Sequence, residues 1–262
     1  MGEVSYRPLI ETMTWSYSRL ETFDCCPYRW FLTYIHLPKP IKENKFYASF
    51  GLFMHELLER YYKNESTKEE LLIKYLTQFM EKTKGTGRPS PETVQKYFDS
   101  GARFLRGLKP MKFKMVSVEE KIDFNIGNIN FTGRIDYIGE CDGEYVIVDN
   151  KSRDLKPRSK RTKPTKKDEE LDSMLRQLYI YAAAVRRKYG KFPKLLCFNC
   201  FKTGMFIEEP FKKKEYDKAI LWVRNKVEEI ANAHEFHPNL DYFACKYLCG
   251  VGNDCCYNKG GI

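Results

Sequence analysis

The sequence predicts an α/β domain built on a central mixed sheet with helices around it. Three observations carry that expectation. Helical periodicity runs through most of the first 108 residues; from Met115 the apolar period changes to two; and a strong helical stretch, Glu169 to Tyr189, separates one candidate hairpin from a second. With 262 residues the chain can bury one sizeable core carrying an elaborated subdomain, so residues 1–262 read as a single domain. Its segments are an N-terminal region (1–48), a helical segment (49–110), a sheet core (111–212) and a C-terminal helix with a cysteine-rich tail (213–262). No stretch is long and apolar enough to cross a membrane, and the opening Met-Gly-Glu-Val-Ser-Tyr-Arg-Pro lacks the apolar segment of a secretory signal. A reducing, cytoplasmic location is the expectation.

Ser18 and Glu21, three apart ahead of an apolar-periodic stretch, have the form of a capping box and predict a helix ending near Cys25. The chain restarts at Cys26-Pro27, with proline in a first turn, where helices tolerate it. Residues 38–47 form a connection containing Pro and Lys. The next helix, Ser49 to Tyr62, has an apolar face of Phe50, Phe53, Met54, Leu57 and Leu58. His55 sits beside that face, as either a hydrogen-bonded core residue or a ligand. Residues 67–84 and 91–108 predict a two-helix insert with no recognisable chemistry. Val116, Val118, Ile122 and Phe124 then alternate with polar residues in a strand that turns at Gly127-Asn128, with Glu119 and Glu120 on its opposite faces. Lys194 to Phe201 and Met205 to Phe211 flank Lys202-Thr203-Gly204 as the second hairpin. An amphipathic helix from about Lys213 to Ala233 follows, with Ala219, Leu221, Trp222, Val223, Val227 and Ile230 as its apolar content.

Residues 129–151 are the centre of the chain. Two runs of β-branched and aromatic residues flank Asp142-Gly143, a dipeptide suited to the positive φ angles of a two-residue hairpin turn. If both occupy the turn, Asp136 lies opposite Asp149 and Arg134 opposite Lys151, with Asp149 and Lys151 on one face. Like charges directly across a ladder destabilise it. Two readings fit: a solvent-facing pair of acids on an edge hairpin, or a pair that shares a divalent cation.

The formal net charge is +10. Nine Lys or Arg and a single acid fall between Lys151 and Lys167, interrupted by Pro157 and Pro164, which predicts a mobile basic loop. Arg153, Lys156, Arg158, Lys160, Arg161 and Lys163 are its candidate contacts to nucleic-acid phosphates; a solvated loop or a localisation signal are the other readings. Of nine cysteines, Cys141, Cys197 and Cys200 sit in strand-like segments as small hydrophobes. Cys25 and Cys26 near the start, and Cys245, Cys249, Cys255 and Cys256 in a Gly-containing tail, fit thiolate ligation of zinc or an iron-sulfur cluster better than disulfides.

Taken together, Gly-x-x-x-His at His55, Gly-x-x-Asp at Asp136, Asp-x-Lys at Asp149 and Lys151, and Gln-x-x-x-Tyr at Gln177 and Tyr181 resemble, in order and context, the RecB-type nucleases of the PD-(D/E)XK superfamily. One cysteine before and three after this series is similar to its iron-sulfur branch, which includes the nuclease domain of the AddB recombination subunit and CRISPR-associated adaptation exonucleases. The resemblance runs from Ser16 to Cys256, leaving the helical insert and basic loop unmatched. It implies a restriction-endonuclease-like core and a metal-dependent deoxyribonuclease, an exonuclease on single strands or DNA ends that serves recombination, repair or processing alongside recombination, replication or CRISPR-type protein partners.

The resemblance also implies roles. His55, Asp136, Asp149 and the backbone carbonyl of Asn150 would hold Mn²⁺ or Mg²⁺, with Mn²⁺ favoured by the imidazole. Metal ions acidify the attacking water and neutralise charge developing on the phosphoryl oxygens. Lys151 would orient that water, with Gln177 and Tyr181 facing it from the following helix. Glu119 matches an additional acid, with Glu120 beside it. Cys26, in a Cys-Pro pair, and Cys245, Cys249 and Cys255 would hold a [4Fe-4S] cluster, with Zn²⁺ as the alternative; Cys245 to Cys249 has one residue more than the family's usual Cys-x2-Cys. Trp15, Tyr17 and Trp30 read as base-stacking or core aromatics. A non-catalytic DNA-binding module with the same fold and an RNA nuclease are the rival functions.

Overall fold

The structure is a computed structural model that describes residues 5–40 and 42–258. Among these, six helices come first: α1 (Arg7–Glu11), α2 (Tyr17–Cys25), α3 (Pro27–Tyr34), α4 (Phe46–Tyr62), α5 (Lys68–Lys82) and α6 (Pro91–Arg106). Three strands follow, β1 (Lys114–Ile126), β2 (Ile129–Cys141) and β3 (Glu144–Lys151), then α7 (Lys166–Tyr189), β4 (Leu195–Cys200), β5 (Met205–Pro210) and α8 (Lys213–Ala231). The five strands form one sheet in sequence order, antiparallel except where β4 lies parallel to β3. A parallel neighbour requires a crossover of a dozen or more residues, and α7 supplies it.

Asp142 and Gly143 have φ of 54° and 76°, the left-handed pair that a tight hairpin turn requires. The β2–β3 ladder runs from Cys141–Glu144 to Tyr137–Val148 and stops there. The expected pairs Asp136–Asp149 and Arg134–Lys151 do not form. Instead β2 leaves β3 and continues along β1, where Arg134 pairs with Lys121. The Asp136 carboxylate accepts the Asn150 N–H at 2.7 Å, taking the place of a ladder carbonyl. This parting avoids the like-charge pair that an unbroken ladder would impose.

Two apolar layers sandwich the sheet. Ile147, Leu196 and Phe198 face one layer with Leu175, Leu178 and Ile180 of α7 and Val223 and Ile230 of α8. Val146, Val148 and Cys197 face the other, with Phe53, Met54, Leu57 and Leu58 of α4, backed by α5 and α6. Alternation along β3 therefore sends Asp149 and Lys151 toward α7 and Asn150 toward α4.

Two expectations change and two others are sharpened. Ser16, not Ser18, caps α2 by accepting the Arg19 N–H, so the helix starts two residues before the point at which the Ser18–Glu21 pattern places it. Trp15 and Trp30 are core residues, 2% and 0% exposed and stacked on each other at 6.2 Å, and Tyr17 is buried too, so none presents a face to a base. The basic segment is irregular, as expected of a loop, and is tied to the fold at two points. Leu155 is buried, and Asp168, in a capping box with Thr165 that starts α7, also accepts from the Ser159 N–H and hydroxyl at 2.7 Å. Leu221 points outward on α8, whose buried positions are Ala219, Val223, Ile230 and Ala231.

Candidate active site

Where β2 and β3 part, α4 and β1 approach from one side and α7 from the other. Ligand atoms of His55, Glu119 and Asp136 lie within 4.8 Å of one another. His55 Nδ1 is 3.4 Å from Asp136 Oδ2 and 3.7 Å from Glu119 Oε1. Burial works against a charged imidazole here, but donation to the Asp136 and Glu119 carboxylates outweighs it and lifts His55 to about 10. Glu119 joins the group from β1 with a left-handed backbone. It sits at φ 51°, between the ladder pairs Val118–Tyr137 and Glu120–Ile135. A left-handed conformation is uncommon for a residue with a side chain and often marks a functional site. Glu120 turns the other way, to Lys188, Ser117 and Tyr189.

Asp149 is 4% exposed. Its desolvation pushes the carboxyl up to about 6, with Lys151 pulling it down and Asp136 adding to the rise. Lys151 Nζ stands 2.8 Å from Asp149 Oδ2 but off the line of a hydrogen bond, so that buried oxygen has no aligned donor among the described residues. The ammonium is instead aimed at Gln177 Oε1, 2.9 Å away, and Gln177 Nε2 donates to the Tyr181 hydroxyl at 3.0 Å. The four-residue spacing on α7 places both side chains on the face that meets Lys151. Burial raises the Tyr181 phenol above its ordinary range, which keeps it a neutral hydroxyl. Its ring lies over Gly133, where an added Cβ would meet Tyr181 Cε1 at 2.6 Å.

Two further residues hold the site from the α4 side. Tyr62 donates its hydroxyl proton to Asn150 Oδ1 at 3.1 Å, and Asn199 Nδ2 donates to the same oxygen at 2.9 Å. With its N–H on Asp136, Asn150 is clamped at both ends. Sequence reasoning passed over Tyr62 and Asn199; a polar Asn199 inside the apolar run Leu195–Cys200 was the available signal.

An imidazole, three carboxylates and an orphaned buried oxygen suit a divalent cation in donor type. His55, Glu119 and Asp136 form the group that could hold one. Asp149 lies outside that closest triad, beside Lys151.

The cysteines gather elsewhere. Cys26 caps α3, its Sγ accepting from the N–H groups of Arg29 and Asn239, both at 3.4 Å. With Cys245, Cys249 and Cys255 it lines a small space of about 20 Å³. Burial raises the Cys245 thiol, and negative charge on Cys249, Cys26 and Cys255 would add to the rise. Among the described residues no three cysteine sulfurs lie within 4.8 Å of one another. The Cys245–Cys249 spacing falls on a π turn, Ala244–Leu248, a geometry that takes up one extra residue. Cys25 and Cys256 are exposed, Cys256 Sγ lying 3.2 Å from the Tyr28 hydroxyl.

Of the basic segment, Arg158 is committed to Asp172 at 2.6 Å and Glu209 at 3.2 Å, and Lys156 pairs with Asp154 at 2.9 Å. Arg153, Lys160, Arg161 and Lys163 are exposed, with no carboxylate within 4.0 Å among the described residues.

Comparison with known proteins gives two findings. The sequence pattern described as the PD-(D/E)XK nuclease superfamily matches residues 14–256. Twenty chains of solved structures are similar in fold. One, a protein of Eubacterium rectale named as a candidate exonuclease, aligns with a TM-score of 0.50 at 15% identity, over 97% of this chain and 93% of its own. At that identity the likeness is one of fold alone, a mixed sheet flanked by helices consistent with a restriction-endonuclease-like core. No curated protein matches the chain.

Proposed function

The chain belongs to the PD-(D/E)XK nuclease superfamily, and from that membership we propose a metal-dependent deoxyribonuclease, an exonuclease working on single-stranded DNA or DNA ends. The observation that carries this reading is the convergence of His55, Glu119 and Asp136 at the point where β2 and β3 part, beside the Asp149–Lys151 pair. His55, Glu119, Asp136, Asp149 and the Asn150 carbonyl would hold Mn²⁺ or Mg²⁺. When bound, such an ion supplies Lewis acidity toward the phosphoryl oxygens and makes water a stronger acid. The protein's own groups do the rest. Lys151, steadied by Gln177, places a positive charge where the phosphate accumulates negative charge. Gln177 and Tyr181 fix the position of that ammonium, and the Tyr62–Asn199 clamp fixes the backbone at Asn150.

We assign Cys26, Cys245, Cys249 and Cys255 to a [4Fe-4S] cluster. A tetrahedral zinc with bonds of about 2.3 Å holds its sulfurs roughly 3.8 Å apart. A cluster several atoms across holds them farther apart, and the four cysteines line one common space. The exposed cations Arg153, Lys160, Arg161 and Lys163 are then available to phosphates, while Arg158 serves the fold.

The test is cleavage of end-labelled single- and double-stranded DNA and of RNA with Mn²⁺, Mg²⁺ or EDTA. Wild type should degrade linear DNA only with metal, and Asp149→Ala or Lys151→Ala should lower the rate by about 10³-fold or more. Binding without cleavage by wild type would make the chain a DNA-binding module, and RNA-only cleavage would make it a ribonuclease.

A further inference from the structure

We infer that the groove between the outer face of the β1–β2 ribbon and the segment entering α2 is a track for a single nucleic-acid strand leading to the site, an inference that rests on the nuclease reading. Beyond Tyr137–Val148 the two strands continue without β3. Alternation divides this ribbon sharply. Ile122, Phe124, Phe131 and Gly133 turn into the core, while the pairs Lys121–Arg134, Asp123–Thr132 and Asn125–Asn130 face outward. Trp15 docks the segment before α2 on β2, its N–H on the Asn130 carbonyl at 2.8 Å and its carbonyl on the Thr132 N–H at 2.7 Å. This docking makes the second wall. The groove has a volume of about 500 Å³, with Ser16, Arg19, Lys121, Asn130 and Thr132 among its lining.

Its chemistry is that of a phosphate track. Arg134 is 62% exposed at its side chain and, among the described residues, meets a carboxylate only at Glu119, 3.7 Å away, which links the groove to the acidic triad. Among the described residues no carboxylate lies within 4.0 Å of Lys121 or Arg19. The one acid of the groove, Asp123, accepts the Thr132 hydroxyl at 2.6 Å. Arg19 is held in place without being neutralised, by the Thr14 carbonyl at 2.5 Å and by stacking 4.6 Å above the Tyr34 ring. Lys121 and Arg134 are each two strand residues from Glu119 and Asp136, roughly 7 Å at 3.3 Å per residue. A strand whose phosphate lies at the acids would therefore present its neighbouring phosphates to cations along one wall.

The experiment measures anisotropy of labelled oligo-dT bound to the full chain in EDTA, across a salt series, for wild type, Arg19→Gln with Lys121→Gln, and Lys160→Gln with Lys163→Gln. Removing two phosphate contacts should weaken binding about tenfold at low salt and reduce the slope of log K against log salt by about 1.4, at about 0.7 per single-strand contact. Circular dichroism should match wild type. No binding by wild type, or a groove variant with the wild-type slope, overturns the track. Cleavage by the same wild-type preparation with Mn²⁺ reports separately on the nuclease reading, since the binding series contains no metal. Cleavage intact with the slope unchanged sinks the groove alone; a changed slope in a protein that never cleaves supports the groove and sinks the nuclease.

Discussion

Gly51 and Gly133 stand in the two glycine-containing motifs for different physical reasons. At Gly133 the Tyr181 ring occupies the space a Cβ would need, whereas at Gly51, one helical turn before His55, nothing lies within 4 Å of that position. Gly133→Ala must therefore displace the tyrosine that receives the Gln177 hydrogen bond. It should destabilise the protein by about 1–3 kcal/mol and lower turnover together. Gly51→Ala, by contrast, should stabilise α4 by up to about 1 kcal/mol, the difference in helix propensity. Thermal denaturation of both variants decides the matter, and a destabilised Gly51→Ala would contradict the open space above that helix face. Asp149 is a second residue whose environment has a measurable consequence. Its buried oxygen has no aligned donor, so Asp149→Asn should raise the melting temperature of the protein in EDTA while removing cleavage. An unchanged or lowered melting temperature would mean that the Lys151 contact already compensates the burial.

At the scale of an element, the start of α7 is a single electrostatic unit. Backbone N–H groups of Ser159 and Thr165, with both hydroxyls, hold the Asp168 carboxyl well below the usual carboxylate range. A carboxyl depressed in the folded state stabilises it above its unfolded value, near 3.9, and that contribution disappears as pH falls through the folded value. Asp168→Asn should thus lower the melting temperature at neutral pH and leave a shallower loss of stability between pH 4 and pH 2 than wild type shows. Equal acid slopes would separate Asp168 from the anchoring of residues 159–165. The left-handed backbone at Glu119 acts at the same scale. One residue in the left-handed region, with no residue inserted into the β1–β2 register around it, presents its carboxylate to the triad with His55 and Asp136.

Across the whole molecule, the cysteine group joins α3 near the start of the chain to the turns that end the described residues. Cys26 and Asn239 already meet there through the sulfur and a backbone N–H. If a cluster closes this link, its loss removes a long-range constraint as well as a chromophore. Cys249→Ala should then bleach the visible absorption of anaerobically purified protein and lower its melting temperature. Colourless wild type containing zinc would replace the cluster with a zinc site, and a Cys249→Ala protein with the wild-type spectrum would remove Cys249 from the ligand set. The sheet itself spans the two apolar layers, so β3 carries buried residues on both faces up to Asp149 and sets the site between α4 and α7.

The sequence by itself determined what depends on local pattern. The period of two marks β1 and β2, the Asp142-Gly143 turn sets the register of the hairpin through five pairs, and alternation puts Asp149 and Lys151 on one face. Helical spacing likewise places Gln177 and Tyr181 together. Tertiary structure decided everything that depends on which surfaces meet. It parted β2 from β3 at Asp136, brought Glu119 rather than Glu120 to His55, turned Cys26 and Cys255 inward and left Cys25 and Cys256 exposed. It also put Trp15 and Trp30 in the core and enlisted Tyr62 and Asn199 behind Asn150. The physical reason is range. Period, turn chemistry and capping act over a few residues and are written in order along the chain, whereas burial and hydrogen bonding at this site join residues up to 137 positions apart, a relation that no local pattern encodes.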